Sequence, residues 1–141
     1  MHPTFQSIAI AGPEAVLTAG GLLCLMLGTF LGRDRALNAL TWVGAGILAL
    51  AGLTLIDDPA GRMIAFDGLY VADSFSAFLK VLILTAGAAS MVLALPYLND
   101  VKTGRFEFPV IMMFSALGMC MMVSANDLLS LYIGLELTSL A

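Results

Sequence analysis

Charge is what this sequence has least of. Only 11% of its 141 residues are Asp, Glu, Lys or Arg, whereas 60% are hydrophobic and the mean hydropathy is +1.00. Soluble domains carry roughly a quarter charged residues, so this composition excludes an ordinary water-soluble fold and points to a membrane bundle. Basic residues are scarcer still: six Lys and Arg against ten Asp and Glu give a net charge of −4. With no basic stripe to neutralise phosphates, nucleic acid is excluded as a partner. Cysteine is limited to Cys24 and Cys120, each inside an apolar run and neither with a second Cys or a His at ligand spacing. A metal site is therefore not expected, and both read as buried, inert thiols. The start, "MHPTFQSIAI", has no Lys or Arg ahead of its apolar stretch, which argues against a cleaved signal peptide.

What the chain does have is long apolar runs. Pro13 and Glu14 suit a first helical turn, proline because it needs no N–H there and the acid because it faces the positive helix end. The uncharged run that follows is about 18 residues, enough to cross a hydrocarbon core of roughly 30 Å. Further segments bring the expected spans to 14–32, 36–56, 73–96, 108–124 and 126–141, the last incomplete. The fold class is all-α, a polytopic bundle of four full spans and part of a fifth, read as one membrane domain.

Loop charges set the expected orientation. Arg33 and Arg35 separate the first two spans, and Lys102 and Arg105 separate the third and fourth, so all four lie on one side. The other side has Arg62 among Asp57, Asp58 and Asp67. The positive-inside rule places the basic loops in the cytoplasm and the N-terminus outside, which in a bacterium is the periplasmic side of the inner membrane. In the longest connection, "MIAF" and "LYVA" flank Asp67-Gly68, a dipeptide suited to a type I′ turn, so a small outer hairpin is expected.

Several motifs have bland explanations. Gly44-Ala45-Gly46-Ile47-Leu48-Ala49 fits a dinucleotide fingerprint, with Asp67 about 20 residues on. It lies in mid-span rather than between a strand and an exposed helix start, so helix packing explains the glycines better. Gly28 and Gly32 have the same explanation. Met112, Met113, Met119, Met121 and Met122 surround their helix and read as gap fillers rather than a copper(I) site.

Two ionisable residues inside the apolar runs carry more. Lys80 lies roughly 10 Å into the third span at about 1.5 Å per residue. It shares a helical stripe with Ser76 and Asp73. Its side chain either snorkels towards the outer surface or stays buried as a cation in a proton path. Glu136 is the sharper signal. Asn126 is a good N-cap and Asp127 suits the first turn, which puts Glu136 roughly 14 Å deep, near the bilayer midplane. A short glutamate cannot snorkel from there, so it reads as a proton relay, with a structural pin between helices as the alternative. Tyr132, Glu136 and Ser139 form one polar stripe, and Ser130, Gly134 and Thr138 form a stripe of small residues on the other face, fit for close packing.

These segments also carry a resemblance. "SANDLLSLYIGLELTSLA", preceded by "FSALGMCMMV", resembles the fourth-to-fifth-helix region of the antiporter-like membrane subunits of bacterial NADH-quinone oxidoreductase, respiratory complex I. Together with "FDGLYVADSFSAFLKVLILTAGAA" it favours the subunit N family, over most of residues 63–141; residues 1–62 agree only in hydropathy. The resemblance implies a proton-translocating subunit driven by quinone reduction elsewhere in the complex. Its fifth-helix glutamate matches Glu136 and works with lysines on later helices. Flavin, iron–sulfur clusters, NADH and quinone would all be held by partner subunits, with no cofactor in this chain, whose own partners would be other membrane subunits and the lipid bilayer. Helix 126–141 rises only about 22 Å, short of a crossing, so the chain is expected to be an N-terminal fragment. Two other functions fit the same residues: a cation/proton antiporter subunit of this fold, and a non-transporting membrane scaffold.

Overall fold

The computed structural model describes residues 10–31, 33–55, 63–101, 105 and 107–141. Five α-helices of more than one turn lie among these residues: α1 (Gly12–Leu31), α2 (Arg33–Leu53), α3 (Ser74–Asp100), α4 (Glu107–Ser124) and α5 (Leu128–Leu140). Strands β1 (Met63–Ala65) and β2 (Tyr70–Ala72) pair antiparallel between α2 and α3, with Met63 opposite Ala72 and Ala65 opposite Tyr70. Three of the helices, α1, α3 and α4, are long and apolar enough to cross a membrane, while the apolar stretches Leu37–Leu53 and Leu128–Leu140 are shorter.

Helix α4 is the axis of the bundle and packs against each of the other four. Its inward residues Met113, Ala116 and Cys120 meet Leu17 and Cys24 of α1, Leu40 and Leu48 of α2, and Leu84 and Met91 of α3 in one buried core. Large apolar side chains also point outward, among them Leu23, Phe30, Trp42, Phe75 and Leu93. A helix apolar on all sides belongs in lipid, where contact with acyl chains replaces burial. Threonine hydroxyls on these helices donate to carbonyls of their own backbone, as an environment without water favours. Thr41 donates to the Leu37 carbonyl at 2.7 Å and Thr85 to that of Val81 at 2.7 Å.

Lipid offers no hydrophobic drive between helices, so they associate through close packing. Helix α5 shows this most clearly, for it packs chiefly on α4. A Cβ on Gly118 would sit 2.8 Å from both the Gly134 carbonyl oxygen and the Thr138 nitrogen, and would also meet Thr138 Oγ1. A Cβ on Gly134 would sit 3.0 Å from the Gly118 oxygen. The small-residue face of α5 is thus in contact, backbone against backbone.

The hairpin forms as the sequence suggests, with a longer loop. Asp67 has φ 54° and ψ 31°, Gly68 has φ 95°, and the Leu69 amide donates to the Phe66 carbonyl at 3.1 Å. These are the features of a type I′ turn. Phe66 also has positive φ, at 53°, which ends strand pairing at Ala65 and leaves four residues in the loop. A bulky residue in the left-handed region is strained, so tertiary contacts must hold it there.

Three expectations need correction. Helix α3 continues past Pro96 to Asp100. Proline within the last turns removes a single N–H, and in the resulting helix it does not act as a stop. The backbone of Arg33 and Arg35 lies within α2, not in a loop between spans. The N-cap of α5 is Asp127, which accepts from the Ser130 amide at 2.8 Å, not Asn126. Asn126 instead ties this corner to the hairpin: its amide donates to the Leu69 carbonyl at 3.1 Å and its side chain to that of Gly68 at 2.7 Å. Asp57, Asp58, Arg62, Lys102 and Gly32 lie outside the described residues. The fingerprint-like Gly44–Ala49 stretch is interior to α2, and Gly44 lies against the sulfurs of Met113 and Met91.

Candidate functional site

The ionisable centre of the bundle lies where α1, β2 and α3 meet. Lys80 is 1% exposed, a lysine buried as deeply as Leu17 and Leu84 of the core. The rotamers open to a helical lysine lean towards the helix N-terminus, which here is the hairpin end of α3. Rather than reaching the surface, the ammonium meets the Glu14 carboxylate, Nζ to Oε1, at 2.7 Å. Snorkelling, one of the two readings of Lys80, is thereby replaced by a buried ion pair. Glu14 is itself only 7% exposed.

Tyr70 completes the cluster. Its hydroxyl accepts from Lys80 Nζ at 2.6 Å and donates to Glu14 Oε2 at 2.9 Å. Three groups from three elements therefore close a ring of contacts. Lys80 Nζ also lies 4.7 Å from the centre of the Tyr70 ring. That proximity follows from the hydroxyl contact and adds no separate attraction. Burial, and then the negative Glu14 beside it, push the Tyr70 hydroxyl well above its ordinary value. Tyr70 stays protonated and is a donor to Glu14 at any physiological pH.

The surroundings hold the three groups in place. Asp73 caps α3 by accepting from the Ser76 amide at 2.7 Å, and Ser76 Oγ accepts from the Asp73 amide at 2.9 Å, a reciprocal capping box. This fixes the first turn of α3 and so the direction of Lys80. The stripe Asp73, Ser76 and Lys80 divides accordingly into two capping residues and one ion-pair residue. Tyr70 is fixed by the hairpin, which pairs with Ala125 and packs on Ala11 through Ala72 and Met63. Beside the cluster is a cavity of about 430 Å³, whose wall includes Glu14, Tyr70, Ala11, Leu117, Met121 and Ser130. Lys80 does not line it.

Glu136 is elsewhere. It lies half-buried on α5, and among the described residues it makes no hydrogen bond or ion pair. The structure does not bring it into contact with Lys80, whose partner is Glu14. In its own stripe Tyr132 is exposed, as is Ser139, while Gly134 and Thr138 face α4. The polar and small-residue faces of α5 are thus distinct.

The residue missed in the sequence is Glu14, taken there for an ordinary helix-start acid. One signal was available: it is the sole acid of the first apolar segment, and Lys80 is the sole base of the third. Both sit near the same end of the bundle. Two lone opposite charges at matched depth favour each other's company in lipid.

Fold and site together define a membrane protein with several spans, one that buries an ion pair and carries a half-buried acid on a separate helix. Comparison with known proteins takes this further. No family model matches the chain. It is 48% identical over 131 residues to NADH-quinone oxidoreductase subunit N of Paramagnetospirillum magneticum, covering 92% of this chain and 26% of that protein. The subunit N of Maricaulis maris is 43% identical over 136 residues, covering 96% of this chain and 28% of that protein. That of Beijerinckia indica is 39% identical over 141 residues, with 100% and 29% covered. Over nearly its whole length the chain is similar to subunits N of NADH-quinone oxidoreductases, and it spans less than a third of the length of these relatives.

Proposed function

We propose that this chain is part of a proton-translocating membrane subunit of NADH-quinone oxidoreductase, with Glu136 as an intramembrane proton relay. The similarity to subunit N over nearly the whole chain is the observation that carries this reading. In it, NADH and quinone chemistry, with the flavin and iron–sulfur clusters, belongs to partner subunits, and this chain moves protons. Its neighbours are other membrane subunits of the same complex and the lipid bilayer. The ends of the bundle that carry Arg33, Arg35 and Arg105 face the cytoplasm and the hairpin the periplasm, as the distribution of basic residues suggests.

Glu136 suits the relay role by its chemistry and position. A carboxyl group in apolar surroundings binds and releases a proton with small changes in local solvation. The face opposite the tight α4 contact remains available for a polar path, because Tyr132 and Ser139 are exposed beside Glu136. The test is Glu136→Gln in the full-length subunit, after native electrophoresis shows that the complex has assembled. Energised membrane vesicles from this variant should build a smaller pH gradient during NADH oxidation. An unchanged gradient in the assembled variant sinks the relay assignment. Lys80 belongs to the same function in this reading, through the cluster it forms with Glu14.

A further inference from the structure

Lys80, Glu14 and Tyr70 need a reason to be where they are. A buried ion pair contributes little net stability, since an apolar pair of similar volume does as well or better. In a membrane the desolvation cost is larger still, and ionisable residues are kept where they have work to do. A pin between α1 and α3 is therefore a weak explanation when Leu and Met would pin them equally well.

The geometry offers a better one. The contacts run Lys80 Nζ to Tyr70 hydroxyl at 2.6 Å and Tyr70 hydroxyl to Glu14 Oε2 at 2.9 Å, a donor–acceptor chain with one direction. Its two ends differ. Glu14 faces a cavity of about 430 Å³, and Lys80 is enclosed by the bundle. Such a volume has room for on the order of ten waters, and Glu14, Tyr70, Thr18 and Ser130 supply polar anchors on its otherwise apolar wall.

We propose that Glu14, Tyr70 and Lys80 form a second proton-exchange site, in which Glu14 trades protons with water in the cavity and Lys80 receives them from the bundle interior. The proposal rests on the proton-translocating reading given above. In the resting state Lys80 is an ammonium, Tyr70 a phenol and Glu14 a carboxylate. In the transfer, one Lys80 N–H bond breaks and its proton bonds to the Tyr70 oxygen, while the original Tyr70 proton passes to Glu14 Oε2. The products are a neutral amine, the same phenol and a carboxylic acid, with the cluster neutral before and after. Glu14 then releases its proton to cavity water, and Lys80 takes a proton from hydronium on the interior side, which restores the ion pair. One proton has crossed the cluster.

The experiment uses the full-length subunit in the assembled complex, reconstituted in vesicles. The double variant Glu14→Leu/Lys80→Met removes both charges without stranding either. It should assemble and yet move several-fold fewer protons per NADH oxidised. An assembled double variant with the wild-type ratio overturns the proposal. Tyr70→Phe removes only the connecting hydroxyl, and it should lower the ratio as well; an unchanged ratio overturns the relay. Infrared difference spectra during turnover give a readout that a structural pin would not move. They should contain a carboxylic-acid C=O band that is lost in Glu14→Gln, and its absence from the wild type overturns the proposal even if the double variant fails to assemble. Glu136→Gln and wild type run in parallel separate the two claims. A wild type that moves no protons removes the parent reading and this one together, whereas a pumping wild type matched by the double variant removes this one alone.

Discussion

Removing one member of the Glu14–Lys80 pair should do far more damage than removing both. In Lys80→Met the Glu14 carboxylate keeps its place, 7% exposed and among apolar neighbours, but loses the ammonium 2.7 Å away. A buried charge stranded in this way costs about 3–5 kcal/mol. Glu14→Leu strands the ammonium of Lys80 at a similar cost, with Tyr70 left as its only polar neighbour in the ring. Glu14→Leu/Lys80→Met strands no charge and leaves only the Tyr70 hydroxyl without its two ring partners, a cost of about 1–3 kcal/mol, so it should lose less stability than either single variant. The double-mutant cycle then has a coupling on the order of several kcal/mol, well beyond what an exposed pair gives. The assay is reversible unfolding of the purified full-length subunit in mixed micelles, titrated with denaturing detergent. Two single variants each losing less than about 1 kcal/mol would refute the reasoning, because a pair so cheaply broken is neither buried nor charged.

Other predictions probe the packing and the hairpin. Gly118→Ala should force α4 and α5 apart, since its Cβ would lie 2.8 Å from backbone atoms of Gly134 and Thr138; overpacking of this kind costs about 1–3 kcal/mol, seen as reduced assembly on native gels. Asn126→Ala removes the contact to the Gly68 carbonyl, 2.7 Å in the structure, and hydrogen exchange in residues 63–72 should speed up while α1–α4 are unaffected. Tyr70 gives a pH dependence. Its hydroxyl is raised above the ordinary tyrosine value of about 10 in the folded state, so its stabilisation is full below that pH and is lost as pH rises towards the folded value. Thermal unfolding should therefore show an alkaline loss of stability above about pH 10 that is smaller in Tyr70→Phe.

Single-segment signals were legible in the sequence; relations between segments were not. The apolar runs located the helices because lipid requires continuous apolar stretches, and Asp67-Gly68 located the hairpin because few residues tolerate two successive positive φ values. The small face of α5 was legible for a similar reason, since Gly134 and Thr138 share a side at helical spacing. Asn126 and Asp127 were read in the wrong order, as both are good caps and only the register of the hairpin decides between them. The third span was ended at residue 96, yet its helix runs on to Asp100, because Pro96 forfeits only one hydrogen bond near a helix end. Glu14 was explained by its own helix terminus, and Lys80 lies 66 positions away by their numbers, so local sequence does not join them. The one signal, a lone acid and a lone base in two apolar segments, becomes an ion pair only once α1 and α3 are side by side.

The measurement that bears most directly on function is the number of protons moved per NADH oxidised, by complexes carrying wild-type or Glu136→Gln full-length subunit in sealed vesicles. A lower ratio for the variant at matched NADH oxidation is the result expected of a relay on α5. Equal ratios in fully assembled complexes would contradict it and leave Glu136 as a fastening between helices.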